Sequence, residues 1–220
     1  MRYDITNIAI EDYLSDLMPP RIEPLAALEE QARQQGLSLV GAVQGQLLYL
    51  LARSMEARQV LEVGITTGYA AMWLLQALSA TGGYLTGIER QPERCELARG
   101  VLSRAGLGDK ATIHEGEWYN ILPTLSGPYD LIFLDILRSV SNVDQATQAL
   151  EMCVPLLRTG GMLVADNVLC SAQVLEDEED APPLVRGIQL FNKAVMSHPQ
   201  LESVIIPLRD GVAISRKRDT

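Results

Sequence analysis

From Gln59 onward the chain alternates between two hydrophobic periods, and few folds accommodate that alternation. Short apolar runs at "QVLEV", "YLTGIE", "ATIHE", "DLIFLD" and "GMLVAD" have strand character, with amphipathic stretches between them at 69–80, 92–105 and 144–158. Repeated βα units predict an α/β fold: a doubly wound, mostly parallel sheet with helices on both faces. A helical stretch near 183–197 is followed by "LESVIIPL" and "GVAISRK", joined by "RDG". That turn signal predicts a closing antiparallel hairpin and a seven-stranded sheet. Ahead of the alternation lies a helical leader. Ile10, Tyr13, Leu14 and Leu17 fall at helical spacing over 5–17, ended by Pro19-Pro20; a second pattern runs to about Gly36 and a third spans roughly 45–57. The expected organisation is one domain over 1–220, with leader helices in 1–57 and the α/β core in 58–220.

Charge and cysteine usage narrow the function classes. A net charge of −10 argues against broad binding to nucleic-acid backbones or anionic membranes, which need surplus Lys and Arg. The run Glu176-Asp177-Glu178-Glu179-Asp180 reads as a solvated loop. Three widely spaced cysteines and two histidines provide neither a disulfide framework nor a zinc spacing. The first residues lack an apolar signal core, and no segment is long enough to span a bilayer, so a soluble cytoplasmic protein is expected.

Open parallel sheets bind ligands beyond the carboxyl ends of their strands. Here five consecutive strands each end in acids: Glu62, Glu89, Glu115 to Trp118, Asp135, and Asp166-Asn167. After the first strand, "LEVGITTGYA" carries Gly64 and Gly68 in a G-x-x-x-G spacing, preceded by Glu62. A dinucleotide loop prefers G-x-G-x-x-G to seat a pyrophosphate. An acid before the loop repels pyrophosphate and attracts an ammonium, while Glu89 suits ribose hydroxyls. S-adenosylmethionine therefore fits better than NAD.

At these residues the sequence resembles the class I S-adenosylmethionine-dependent O-methyltransferases, specifically the cation-dependent catechol and caffeoyl-CoA O-methyltransferase-like family. The likeness runs through "LVGAVQGQLL", "VLEVGITTGY", "GIERQPE", "PYDLIFLD", "LLRTGGMLVADNVL" and "LESVIIPLRDGVAI". It implies cofactor contacts at Val40, Gly41, Glu62, Gly64, Ile65, Gly68, Ala70, Glu89, Glu117, Trp118 and Asp135. Ala70 stands where the family usually has serine, which removes one hydroxyl from the methionine carboxylate.

The resemblance also implies a divalent ion, usually magnesium, held by Asp135, Asp166 and Asn167. Hard oxygen donors, few of them from protein, suit that ion. A turn at Asp166-Asn167 and a helix cap at Asp135 are the structural alternative. The family's catalytic lysine, three residues after Asp135, is replaced by Arg138, which stays protonated and cannot accept a proton. Arg138 then either stabilises an acceptor oxyanion or faces solvent in a drifted loop. Leu137 replaces a second family acid. Asp210 matches a substrate-contacting acid of some relatives but also suits a hairpin turn. His114 and Trp73 read as structural, and His198 as a cap of helix-end carbonyls. The expected acceptor is a hydroxyl of a small catechol-like aromatic. A transfer-RNA hydroxyuridine acceptor and a non-catalytic S-adenosylmethionine-binding protein are the alternatives. The family further implies a homodimer through the leader helices, with Leu14, Leu17 and Ile22 as candidate contacts.

Overall fold

A computed structural model describes residue 5 and residues 7–219. The reading of the first residues as lacking a signal core falls in part on residues 1–4 and 6, outside the described residues. Seven strands follow the order β3-β2-β1-β4-β5-β7-β6, where β1 is Gln59–Val63, β2 Tyr84–Glu89, β3 Ala111–Glu115, β4 Tyr129–Leu134, β5 Leu157–Asp166, β6 Leu201–Ile206 and β7 Val212–Lys217. β1–β2, β2–β3 and β4–β5 pair in parallel while β7 runs antiparallel to β5 and β6, so the expected mostly parallel α/β sheet is present. The chain divides into two compact units, Ile8–Trp118 and Tyr119–Thr220.

In the first unit, β1, β2 and β3 pair in parallel, with Val63 opposite Ile88 and Glu89 opposite Glu115. The leader forms α1 (Ile8–Asp16), α2 (Glu23–Gln35) and α3 (Ala42–Ser54). Gly36 ends α2 in the left-handed conformation at φ +65°, as a C-terminal glycine should. The third helix begins at Ala42, three residues before the expected 45, because Gly41 at φ +79° supplies its N-cap. Helix α4 (Tyr69–Leu78) is buried on nearly every side, which is why it lacks a polar face. Helices α3 and α4 run side by side in the same direction. One turn into each, the Trp73 indole fills the space a Gly45 side chain would need, 2.3 Å from the position of an added Cβ. Beyond both C-termini, Thr81 Oγ1 donates to the Ala57 carbonyl at 2.6 Å. Arg21 binds Glu29 at 3.1 Å, and Glu29 accepts the Tyr69 hydroxyl at 2.7 Å. This chain ties the leader to the start of α4. Helix α5 (Pro92–Arg104) completes the unit, with Pro92 in its first turn, and the short α6 (Trp118–Ile121) follows β3.

In the second unit, Leu131 to Leu134 of β4 are fully buried, as a strand covered on both faces requires. Helix α7 (Gln145–Cys153) stops short of the expected 158. Pro155 cannot donate to the helical ladder, so 154–156 tightens into a 3-10 turn and Leu157 enters β5. Between the pairs Tyr129–Leu157 and Leu131–Met162 the ladder bulges, and Gly160 (φ +72°) and Gly161 take up the extra length. Helix α8 (Pro183–Ser197) precedes the β6–β7 hairpin that the "RDG" signal predicted. The acidic run is solvated as read, apart from Glu178, which pairs with Lys193. His198 does not cap carbonyls through its ring; Nδ1 accepts the Gln200 N–H at 3.1 Å.

No described helix is long and apolar enough to cross a membrane. Cys95, Cys153 and Cys170 are buried, and burial pushes all three thiols up, Cys153 from 9.0 to about 12. The native chain is therefore expected not to react with a thiol-specific disulfide reagent at pH 8 until it unfolds. An unfolded Cys153 ionises where the folded one does not. Stability from this group is full below pH 9.0 and falls as pH climbs from there towards about 12, which melting curves across that range would show.

Candidate active site

One candidate cluster, in the first unit, is built on the ends of β1 and β2. After Val63 the chain turns through Gly64 at φ +95° and Gly68 at φ +79°, both left-handed geometries that glycine adopts without a Cβ penalty. The N–H groups of Gly64 and Ile65 both donate to the Ile88 carbonyl, at 2.9 and 3.1 Å, which binds this loop to β2. Glu62 and Glu89 are buried acids, 1% and 4% exposed. Glu89 accepts N–H groups from Thr66 at 3.1 Å and Gln91 at 2.9 Å, one on each oxygen. Each carboxylate oxygen keeps a second lone pair, and two hydroxyls of a ribose are suitable donors. Val40, Ile65, Ala70 and Trp118 are buried; Glu117 is half-exposed and faces Arg90 at 3.9 Å.

One further buried polar group, on α3, was not singled out in the sequence. Gln44 of α3 is fully buried, and neither its Oε1 nor its Nε2 has a hydrogen-bond partner. Its signal was available: Gln44, Leu48 and Ala52 share one helical stripe, and a carboxamide stands where that stripe calls for an apolar side chain. An orphaned buried amide, left-handed glycines and a buried acid before the loop suit a nucleoside carrying an amino acid.

A separate candidate cluster, in the second unit, lies at the ends of β4 and β5. These strands are parallel neighbours with Phe133 opposite Val164 and Leu134 opposite Ala165. Asp135 is the first residue after β4, and Asp166 is the last residue of β5. Asp166 is 4% exposed, and its Oδ1 accepts the Asn167 N–H at 2.7 Å. Asn167 is left-handed at φ +62°, a conformation that asparagine adopts more readily than most residues with a Cβ. Among the described residues no three His, Cys, Asp or Glu side chains cluster as a metal centre. A metal fit therefore rests on two carboxylates and one carboxamide. That sparse oxygen set suits magnesium, which keeps several waters.

Arg138 is not a loose surface side chain. Its Nη1 donates to Asp210 Oδ2 at 3.0 Å and to Ser171 Oγ at 3.2 Å, while the other Asp210 oxygen accepts the Ser171 N–H. Asp210 thus anchors Arg138 instead of serving only a turn. Cys170, Ser171 and Ala172 are all left-handed, a costly run for residues with a Cβ. The Asp210 carboxylate and its main chain hold that run in place, with the Leu169 N–H donating to the Asp210 carbonyl at 2.8 Å. Ser171 and the Asp210 anchor were not read from the sequence, because no local pattern marks them.

Glycine loop, ribose-type acid and acidic strand ends on an α/β sheet define a nucleoside-cofactor enzyme. Comparison with known proteins makes that specific. Residues 20–218 match the O-methyltransferase family model, and the chain belongs to that family. A catechol O-methyltransferase of Niastella koreensis is 30% identical, with 94% of this chain and 96% of the relative aligned. One of Mycobacterium tuberculosis is 34% identical over 76% of this chain and 73% of that protein. An O-methyltransferase of Streptomyces achromogenes involved in tomaymycin synthesis, solved with S-adenosylmethionine, superposes with a TM-score of 0.83 at 28% identity, covering 96% of each chain. The protein is an S-adenosylmethionine-dependent O-methyltransferase of the catechol and caffeoyl-CoA type.

Proposed function

We propose that this enzyme methylates one hydroxyl of a small vicinal dihydroxy aromatic, with a divalent cation, magnesium by preference, at Asp135, Asp166 and Asn167. The observation that supports this reading is the register of β4 and β5, whose last pair, Leu134 and Ala165, immediately precedes Asp135 and the Asp166-Asn167 pair. A bound cation would supply Lewis acidity that lowers the pKa of an acceptor hydroxyl. A bound cofactor would supply the electrophilic methyl group. Glu89 holds the ribose hydroxyls, and Glu62 favours the ammonium end. Positioning of the two reactants supplies much of the acceleration.

Arg138 cannot take the acceptor proton at any working pH. Held by Asp210 and Ser171, it presents a fixed positive charge that favours an ionised acceptor oxygen. The enzyme then works best on acceptors that ionise readily. The exposed Ile10, Tyr13, Leu17 and Ile22 of the leader support pairing with a second copy.

The test is methyl transfer from S-adenosylmethionine to a catechol panel with magnesium and with EDTA. Turnover that survives EDTA would reject the metal. Arg138→Lys is expected to raise kcat on weakly acidic catechols by about tenfold or more, since a general base contributes that much or more. An unchanged rate would show that a lysine at this position does not act as the base, its charge alone replacing that of Arg138.

A further inference from the structure

We propose that Arg138 sets acceptor specificity: the open edge of its guanidinium, Nε–H and Nη2–H, binds a carboxylate carried by the dihydroxy aromatic. The proposal rests on the catechol-type reading above and names the acceptor class within it. There Arg138 acts through its charge; here it acts also through the shape of its donors.

The protein itself uses only one nitrogen of this guanidinium. Nη1 donates to Asp210 Oδ2 at 3.0 Å and to Ser171 Oγ at 3.2 Å, and lies 3.9 Å from Cys170 Sγ. Among the described residues, neither Nε nor Nη2 has a hydrogen-bond partner. Those two nitrogens form an edge that matches a carboxylate through two parallel bonds. Asp210 is itself a carboxylate, yet it does not take that edge. It meets Arg138 through a single oxygen, because the other accepts the Ser171 N–H. That Ser171 is left-handed at φ +53°, in a run with Cys170 and Ala172 that is costly for residues with a Cβ. The fold thus forgoes the stronger bidentate pair and keeps the fork open.

The fork is also within reach of a ligand. The Arg138 side chain is 46% exposed, against 20% for its anchor Asp210. It sits in the short turn 137–139 that follows β4, three residues beyond Asp135, and all of these residues belong to the second unit. A neutral hydroxyl or amide oxygen offers such an edge one acceptor atom and no charge. A carboxylate offers two coplanar oxygens of opposite charge, so it is the group this edge discriminates best.

The test compares kcat/KM for protocatechuate, a dihydroxybenzoate with adjacent hydroxyls, and for the corresponding neutral carboxamide. A carboxamide withdraws electrons more strongly than a carboxylate, so acceptor acidity by itself favours the amide. The parent enzyme is expected to favour the acid at least about tenfold, mainly through KM, the weight of hydrogen bonds to a charged group. Arg138→Gln should bring the two acceptors within about twofold of each other, whatever its overall rate. Arg138→Lys keeps the charge without the fork; its preference should fall in between, and it gives the same comparison if the Gln variant does not fold. Equal use of both acceptors by the parent, or a preference for the amide, would overturn the proposal and leave the catechol-type reading standing. A preference for the acid that survives Arg138→Gln would overturn it too. Should neither compound accept a methyl group, the catechol-type reading fails, and calorimetry on the S-adenosylhomocysteine-loaded enzyme in EDTA decides the fork alone. There, binding of the acid about tenfold tighter than the amide supports it, and equal Kd values reject it.

Discussion

Asp166→Ala is expected to lower kcat/KM for a catechol by roughly a thousandfold or more, matching the several kcal/mol that a bound dication contributes to charge stabilisation. Asp166 closes β5, 4% exposed, with Asn167 next in sequence, and Asp135 follows directly on the neighbouring β4. Removing it leaves one carboxylate and one carboxamide, too few hard donors to hold magnesium against water. The decisive readout is independent of turnover: magnesium or manganese binding measured by calorimetry, which should become undetectable at millimolar metal. Asp166→Asn separates charge from shape. Its amide oxygen still accepts the Asn167 N–H seen at 2.7 Å, so the melting temperature should hold while metal binding is lost. Full activity with unaltered metal heats in either variant would remove Asp166 from the site.

Gly161→Ala is expected to cost about 3 kcal/mol of stability, near the upper end for inserting a methyl into a packed region. A Cβ there would stand 2.9 Å from the Arg158 carbonyl oxygen, 3.0 Å from that of Asp130 and 3.2 Å from that of Tyr129. All three are main-chain atoms, held by the bulge between β4 and β5, and none can swing aside. For a chain of this length the melting temperature should fall by roughly 6–12 °C. Gly160→Ala is the control. Its φ of +72° costs an alanine about 1–2 kcal/mol, but its new Cβ would meet only the guanidinium tips of Arg158 and Arg216 at 3.3 Å, which can move. Gly161→Ala melting within 2 °C of the parent would mean the bulge is softer than its geometry indicates.

Much of this protein was readable one segment at a time. The continuous apolar run Leu131 to Leu134 announced a strand buried on both faces, and it is fully buried. The "RDG" turn announced the β6–β7 hairpin. Errors came where a local breaker outweighed periodicity: Pro155 cut α7 short, and Gly41 started α3 early. The acids on the strand ends were visible because a parallel sheet sends every strand end to one rim. Their partners were not visible. Nothing near Arg138 in the sequence points to Asp210, 72 residues away, or to Ser171, 33 residues away.

The order and spacing of apolar residues determined the alternation of strands and helices, the parallel sheet and the family, because periodicity and turn chemistry act over a few residues. Only the folded chain decided which side chains are left without partners and which are tied down. Those outcomes depend on where distant backbone segments come to lie, and that is set by packing across the whole unit.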